Sequence, residues 1–272
     1  MEIEKLKAIA KEMRVDIIRM LTEAGSGHPG GSLSCIDIIV TLFFSKLRYK
    51  PDDPNWADRD RFVLSKGHCV PALYAVLAKL GTLPHDELLS LRKLNSRMQG
   101  HPDRSRTPGI EASTGSLGQG LSVALGMAMA GKTMKKDYRV YCMISDGESQ
   151  AGQVWEAAMA APKFKLDNLC VLLDYNKIQL SGAVRDIMNL EPLAEKWRAF
   201  NWNVMEIDGH DFGAILKALN DAEKVKDKPT LILCHTIKGK GVSFMEGKWE
   251  WHGKSPNREE GERAVQEILA RN

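Results

Sequence analysis

The chain predicts an α/β fold, a mostly parallel sheet covered by helices on both faces, and three observations carry that expectation. From residue 138 onward strand-like and helix-like stretches alternate, the pattern of parallel strands joined by crossover helices. Two apolar runs end on polar residues, the first on Asp146-Gly147 and the second on Asn176, 30 residues later, with a helix-like stretch between them. No internal repeat or low-complexity linker divides the 272 residues, so one domain over 1–272 is expected.

The elements follow in order. Residues 3–24 place Leu6, Ile9, Met13, Ile17 and Leu21 at helical spacing, and Gly25 can end the helix because glycine takes the left-handed conformation without steric cost. The very apolar stretch 34–45 predicts a buried helix, 61–65 a short strand and 71–79 a helix, while Pro84-His85-Asp86-Glu87 opens another short helix. Glycine, alanine and methionine dominate 117–134, a predicted helix whose small residues permit close packing. Then come strand 138–145, helix 153–165, strand 169–174, helix 192–200, strand 203–207, helix 212–224 and strand 230–235. After Gly241 a loop-like stretch carries Trp249, Trp251 and His252, and an amphipathic helix led by Asn257-Arg258-Glu259-Glu260 closes the chain.

Composition narrows the function classes. With 38 basic and 35 acidic residues the net charge is +3, and no long basic run points to nucleic acid or a membrane surface. Lys5, Lys7 and Lys11 are interleaved with acids and apolar residues, as on a solvated helix face. The five cysteines are odd in number and form no Cys-x-x-Cys pair, so they read as small buried hydrophobes in a reducing cytosol. There is no signal-peptide pattern and no apolar run near the roughly 18–20 residues that a membrane span needs. A cytoplasmic location is expected.

The chemistry concentrates where strands end. A strand–helix–strand unit brings Asp146 and Asn176 to the carboxyl edge of the sheet, where open α/β sheets bind ligands. A carboxylate and an amide oxygen suit Mg2+ holding a diphosphate. Asp-Gly and Tyr-Asn are also ordinary turn pairs after strands, so the surrounding motifs must decide. Gly115-Ser116-Leu117-Gly118-Gln119-Gly120 has the glycine density of an anion-cradling loop entering a helix, and Lys238 lies in a second glycine-rich loop.

Ser145-Asp146-Gly147 through Asn176 resembles the thiamine diphosphate motif, in which Gly-Asp-Gly is followed by Asn. Around it stand Ser26-Gly-His-Pro-Gly-Gly31, Asp58-Arg-Asp-Arg-Phe-Val-Leu-Ser-Lys-Gly-His68, Gly100-His-Pro102 and Ser113-Thr-Gly-Ser-Leu-Gly-Gln-Gly120. Further on come Asp208-Gly-His-Asp211 and Thr236-Ile-Lys-Gly-Lys-Gly241. In order and spacing these resemble the N-terminal, diphosphate-binding domain of transketolase, from about Ser26 to His252.

The resemblance implies a thiamine diphosphate-binding fold and a set of roles. Mg2+, with Ca2+ or Mn2+ as alternatives, would be held by Asp146, Asn176 and the carbonyl of Ile178. Gly115, Leu117 and Gly147 would contact thiamine diphosphate, Gly147 at a helix N-terminus, and Lys238 would place its ammonium on the diphosphate. His28, His68, His101 and His252 fall on the four active-site histidine positions. Of these, His68 and His252 would meet the diphosphate and the reacting carbon, and His28 and His101 the sugar hydroxyls. His210 reads as structural, while His85 and His235 receive no role. Two departures stand out: Ser145 replaces the first glycine of the motif, and Ala151 replaces a glutamate of an acidic network at the family's subunit interface. Glu156, the other member of that network from this domain, is present.

The implied activity is transfer of a two-carbon ketol unit from a ketose phosphate to an aldose phosphate, in the pentose phosphate pathway. In the family the glutamate that activates the cofactor lies on a second, pyrimidine-binding domain, and no second strand–helix series follows residue 252. The expectation is therefore the N-terminal subunit of a split transketolase, completed by a C-terminal chain in a two-plus-two assembly, with the closing helix as a natural end. A second thiamine enzyme, such as 1-deoxyxylulose-5-phosphate synthase or a 2-oxo acid dehydrogenase chain, is disfavoured by the joint presence of Ser-Gly-His-Pro, Leu-Ser-Lys-Gly-His and Gly-His-Pro. A non-catalytic scaffold, suggested by Ala151, is disfavoured by the four retained histidines and both metal side chains.

Overall fold

The computed structural model describes residues 2–271. Its strands, in chain order, are β1 (Arg61–Leu64), β2 (Val140–Ser145), β3 (Leu169–Tyr175), β4 (Ile178–Gln179), β5 (Gly182–Ala183), β6 (Asn203–Asp208) and β7 (Thr230–His235). The helices are α1 (Ile3–Ala24), α2 (Pro29–Ser45), α3 (Val70–Leu80), α4 (Gln119–Thr133), α5 (Gly152–Lys163), α6 (Val184–Ile187), α7 (Leu193–Ala199), α8 (Phe212–Lys224) and α9 (Arg258–Ala270). Five strands form one sheet in the order β1-β2-β3-β7-β6, every neighbouring pair parallel, and β4 and β5 make a separate antiparallel hairpin.

Successive side chains on a strand point to opposite faces, and here both faces are apolar. Tyr141 and Met143, Cys170 and Leu172, and Ile232 and Cys234 join the core beneath α1, α2, α3, α8 and α9. Their neighbours Val140, Cys142 and Ile144, Leu169, Val171 and Leu173, and Leu231 and Leu233 join the core beneath α4, α5 and α7. Burial on both faces explains why the central strands read as unbroken apolar runs rather than alternating ones. All five cysteines are buried and free. Among the described residues no helix is long and apolar enough to cross a membrane.

Most expected boundaries shift by a residue or two, and three differences bear on the site. The helix expected at 34–45 begins at Pro29, because proline at the first helical turn lacks only an N–H that would have no partner there. Its apolar periodicity starts later, but its N-terminus brings His28 to the sheet edge. The helix expected from 117 starts at Gln119, after Gly118 takes a left-handed φ of 90°, leaving Leu117 on the loop. Gly147 does not open an α-helix: a 3-10 turn over Gly147–Gln150 comes first, and α5 starts at Gly152. The short helix expected at Pro84 is likewise a 3-10 turn, His85–Ser90. The β4–β5 hairpin and α6 were not expected.

Candidate functional site

Because β2, β3 and β7 are parallel and adjacent, their carboxyl ends leave the sheet on one edge. Asp146 follows β2, Asn176 follows β3, and the loop carrying Lys238 follows β7. Lys177 takes a left-handed φ of 65°, turning the chain sharply between Asn176 and Ile178. A cavity of about 260 Å3 opens here, lined among others by His68, Leu117, Asp146, Gly147, Asn176, Ile178, Lys238 and His252.

The oxygen donors are held by local hydrogen bonds. Asp146 accepts from the N–H groups of Gly147, at 2.7 Å, and Lys177. Asn176 donates from Nδ2 to Asp174 at 3.1 Å, and its Oδ1 accepts from Ile178 N at 3.1 Å. Asp146 is only 1% exposed. Burial, and then the nearby Asp174 charge, push its carboxyl up to about 7.

Lys238 is 2% exposed. Its ammonium donates to Ile178 O at 3.0 Å and to His252 Nδ1 at 2.9 Å. Burial, with Lys66 as a second cause, lowers it to about 8. His252 accepts from that lysine through Nδ1, so its remaining proton sits on Nε2. Burial and the Lys238 charge drop the ring to about 3. The four expected histidines form one cluster: the His28 ring centroid lies 5.2 Å from that of His68, 5.6 Å from His252 and 6.2 Å from His101, and His68 stacks on His252 at 5.0 Å. His28 falls to about 4 through burial and then the His68 charge. His101 is lowered by burial and Arg92. Among the described residues, the buried Nδ1 of His28 has no hydrogen-bond partner.

Close backbone approach explains the glycines beside these rings. A Cβ on Gly30 would meet Trp251 O at 2.8 Å and Lys238 Cγ at 3.0 Å, and one on Gly31 would meet Cys69 Sγ at 2.6 Å. Gly115 packs against His101, where a Cβ would come within 3.1 Å of the ring.

All the expected site residues are thus at one edge, though not all in one cavity. His28, His101 and Gly115 sit beside it rather than lining it. Sequence reasoning missed four contributors. Lys66, which lines the cavity, forms a buried ion pair with Asp174, and Asp174 also accepts from Ser34 at 2.6 Å and from Thr236. Glu148, fully buried, accepts from Ser65 and, at 2.8 Å, from Gly118 N, tying the glycine-rich loop to the end of β2. Arg92 reaches the carbonyl of Gly100, beside His101, from a left-handed backbone with φ 61°. A lysine in Leu64-Ser65-Lys66-Gly67 and an aspartate inside the apolar run of β3 were signals of buried charge that must be paired there, since an unpaired one is costly.

Comparison with known proteins adds the family. The family model described as "Transketolase, thiamine diphosphate binding domain" matches residues 5–271. The chain is 42% identical over 271 residues to one of the subunits of the apulose-4-phosphate transketolase of Phocaeicola vulgatus, covering 100% of this chain and 96% of that one. It is 45% identical over 260 residues to the 6-deoxy-6-sulfo-D-fructose transketolase subunit SqwG of a Clostridium species, covering 94% of each. Among solved structures, transketolase from Campylobacter jejuni superposes with a TM-score of 0.93 at 36% identity, over 99% of this chain but 43% of that one. The chain therefore matches the two subunits nearly end to end and spans less than half of the single-chain enzyme.

Proposed function

Since the chain belongs to the transketolase family through its thiamine diphosphate-binding domain, we propose that it is the cofactor-binding subunit of a two-chain transketolase. It would move a two-carbon ketol unit between sugar phosphates in the pentose phosphate pathway, in the cytoplasm. The observation that carries this reading is the convergence of three oxygen donors, one buried lysine and four imidazoles on a single sheet edge.

The residues fit a divalent cation together with a diphosphate. Asp146 is a buried carboxylate whose described partners are two backbone N–H groups, so it calls for a cation. Lys238 is a buried ammonium, lowered by its surroundings, so it calls for an anion. A cation–diphosphate pair answers both. Asp146, Asn176 and the Ile178 carbonyl would hold Mg2+, a hard-oxygen set of few protein groups that leaves room for phosphate oxygens. Among the described residues no group of three or more His, Cys, Asp or Glu could hold a metal, as expected for a set with one carboxylate. Gly115, Leu117, Gly147, His68 and Lys238 would hold thiamine diphosphate. When bound, that cofactor supplies a nucleophilic carbon and an electron sink for the two-carbon unit.

The chain's own work is then binding and proton handling. His28 and His252, lowered to about 4 and about 3, are neutral near pH 7. His28 can donate to and accept from sugar hydroxyls, whereas His252, its Nδ1 taken by Lys238, keeps an Nε2–H to donate toward the diphosphate and the reacting carbon. The unpartnered Nδ1 of His28 awaits such a partner. His101 is exposed, neighbours His28 in the cluster and does not line the cavity that the oxygen donors line. His101→Ala is expected to slow sugar transfer about 100-fold while the cofactor dissociation constant moves by less than about twofold. Isothermal titration beside a coupled transfer assay separates the two, and lost cofactor binding would contradict this division among the histidines.

Completion of the site is assigned to a partner chain, with a two-plus-two assembly. The two relatives named as subunits suggest this arrangement, and α4 and α5 support it: both present apolar side chains to solvent, Val123 at 41% and Met159 at 56% exposure. Glu156 is also exposed on α5, whereas Ala151 is half-buried beneath Gly118. Val123→Glu with Met159→Glu should leave the helices folded yet dissociate the assembly by roughly tenfold or more in affinity, read by analytical ultracentrifugation. The proposal as a whole is tested by native mass spectrometry of the tagged chain from its own host. A complex with a second chain, thiamine diphosphate and a divalent metal supports it; a lone chain without cofactor overturns it.

A further inference from the structure

We propose that His210, fixed in one tautomer by Asp37 and Arg14, is a positioning residue that sets the loop carrying Lys238. The inference rests on the reading that Lys238 meets the diphosphate. His210 lies in the turn before α8, with 12% of its side chain exposed. Its Nε2 accepts from the backbone N–H of Ile237 at 2.9 Å, and its Nδ1 lies 2.8 Å from Asp37 Oδ2. A backbone N–H can only donate, so Nε2 is the acceptor and the ring proton sits on Nδ1, facing the carboxylate.

Asp37 is a buried carboxylate in the middle of the apolar helix α2. Arg14 grips it with two bonds, at 2.8 and 2.6 Å, and donates from Nε to Lys240 O at 3.2 Å. The segment 237–240 is therefore clamped at both ends, at Ile237 N by His210 and at Lys240 O by Arg14, with Asp37 joining the clamps. Between them Gly239 N donates to Gly30 O at 2.9 Å, and Lys238 turns inward to Ile178 and His252. Burial raises the Asp37 carboxyl, but Arg14 and His210 outweigh it and hold it below the ordinary range. The carboxylate thus stays ionised as the acceptor that selects the His210 tautomer. Hydrogen bonds from outside a site that orient its binding groups commonly matter by one to two orders of magnitude.

The test uses the full chain with its partner and Mg2+. His210→Phe is expected to raise the dissociation constant for thiamine diphosphate about 10-fold or more. His210→Gln, whose amide can donate to Asp37 and accept from Ile237, should stay within about threefold. In a Lys238→Met background, His210→Phe should add less than about twofold, because residues acting as a unit are non-additive. Hydrogen exchange of the Ile237 amide in the unloaded chain should accelerate in the Phe variant and not in the Gln variant. Unchanged affinity, or losses that simply add with Lys238→Met, would overturn the inference. Should the Phe variant fail to fold, His210→Ala, which removes the acceptor of the Ile237 N–H, read by the same exchange decides it: an unchanged Ile237 rate overturns the clamp. If the wild-type assembly binds no thiamine diphosphate, the functional reading falls instead, and Ile237 exchange still reports whether His210 anchors the loop.

Discussion

Asp174→Ala is expected to destabilise the chain by about 3–5 kcal/mol, lowering its melting temperature by roughly 10 °C. Asp174 is fully buried and takes hydrogen bonds from Lys66, Ser34, Asn176 and Thr236. Those donors come from α2, the turn after β1, the end of β3 and the loop after β7, so one carboxylate ties four segments under the site. Removing it strands Lys66, 1% exposed, as an uncompensated ammonium. The sign of the pH effect follows from the shift. Burial raises the Asp174 carboxyl, but Lys66 and the hydrogen bonds more than offset this and leave it below the ordinary 3.8. Its contribution is therefore fully present above 3.8 and is lost as the pH falls through the lower folded value. Denaturant unfolding of wild type and Asp174→Ala at neutral pH measures the gap. The pair Lys66→Met with Asp174→Leu should recover part of it, since replacing both ions costs less than orphaning one. A loss below about 1 kcal/mol for the single variant would show that the pair does not hold these segments together.

Much of this fold was legible because its signals are local. Buried parallel strands appear as short apolar runs, and the polar residue that ends each run marks the carboxyl edge. That logic placed Asp146 and Asn176 side by side from 30 residues apart, and they do flank one cavity. The closing helix was equally readable: Asn257 and Glu260 form a reciprocal capping box. What escaped was of two kinds. Pro29, Gly118 and Gly147 show that a boundary is set by backbone conformation, which the apolar periodicity used to find helices does not report. Lys66–Asp174 and Asp37–His210 join residues 108 and 173 positions apart. Each member looks ordinary in its own neighbourhood, and only the sheet order brings the partners together. Even so, a lone aspartate in an apolar helix, as Asp37 is, and another in an apolar strand, as Asp174 is, announce that a partner must exist.

Asp146→Asn is expected to abolish binding while largely sparing stability, which makes it the sharper test of the metal assignment. Asp146 is buried with two backbone donors and no salt bridge among the described residues, and burial already penalises its charged form. The amide is nearly isosteric, but Gly147 and Lys177 donate to different carboxylate oxygens, so its NH2 faces one of those N–H groups, a cost that sets off the relief of the buried charge. Without metal or cofactor, the variant should melt within a few degrees of wild type. Binding should fail, because an amide oxygen offers a divalent ion no charge. Groups that only orient a metal ligand cost about 10–100-fold when removed, so loss of the carboxylate should cost at least about 100-fold. Ligands that bind only the folded chain raise its melting temperature in proportion to their affinity. The increment that Mg2+ and thiamine diphosphate give together to the wild type should therefore vanish in Asp146→Asn, while the unloaded melting temperature is largely kept. A variant that unfolds early in both conditions would mark Asp146 as a structural carboxylate. One that keeps the full increment would place the ion elsewhere on this edge. Only separation of the two readouts fits a carboxylate that the folded chain holds at a cost in order to bind a cation.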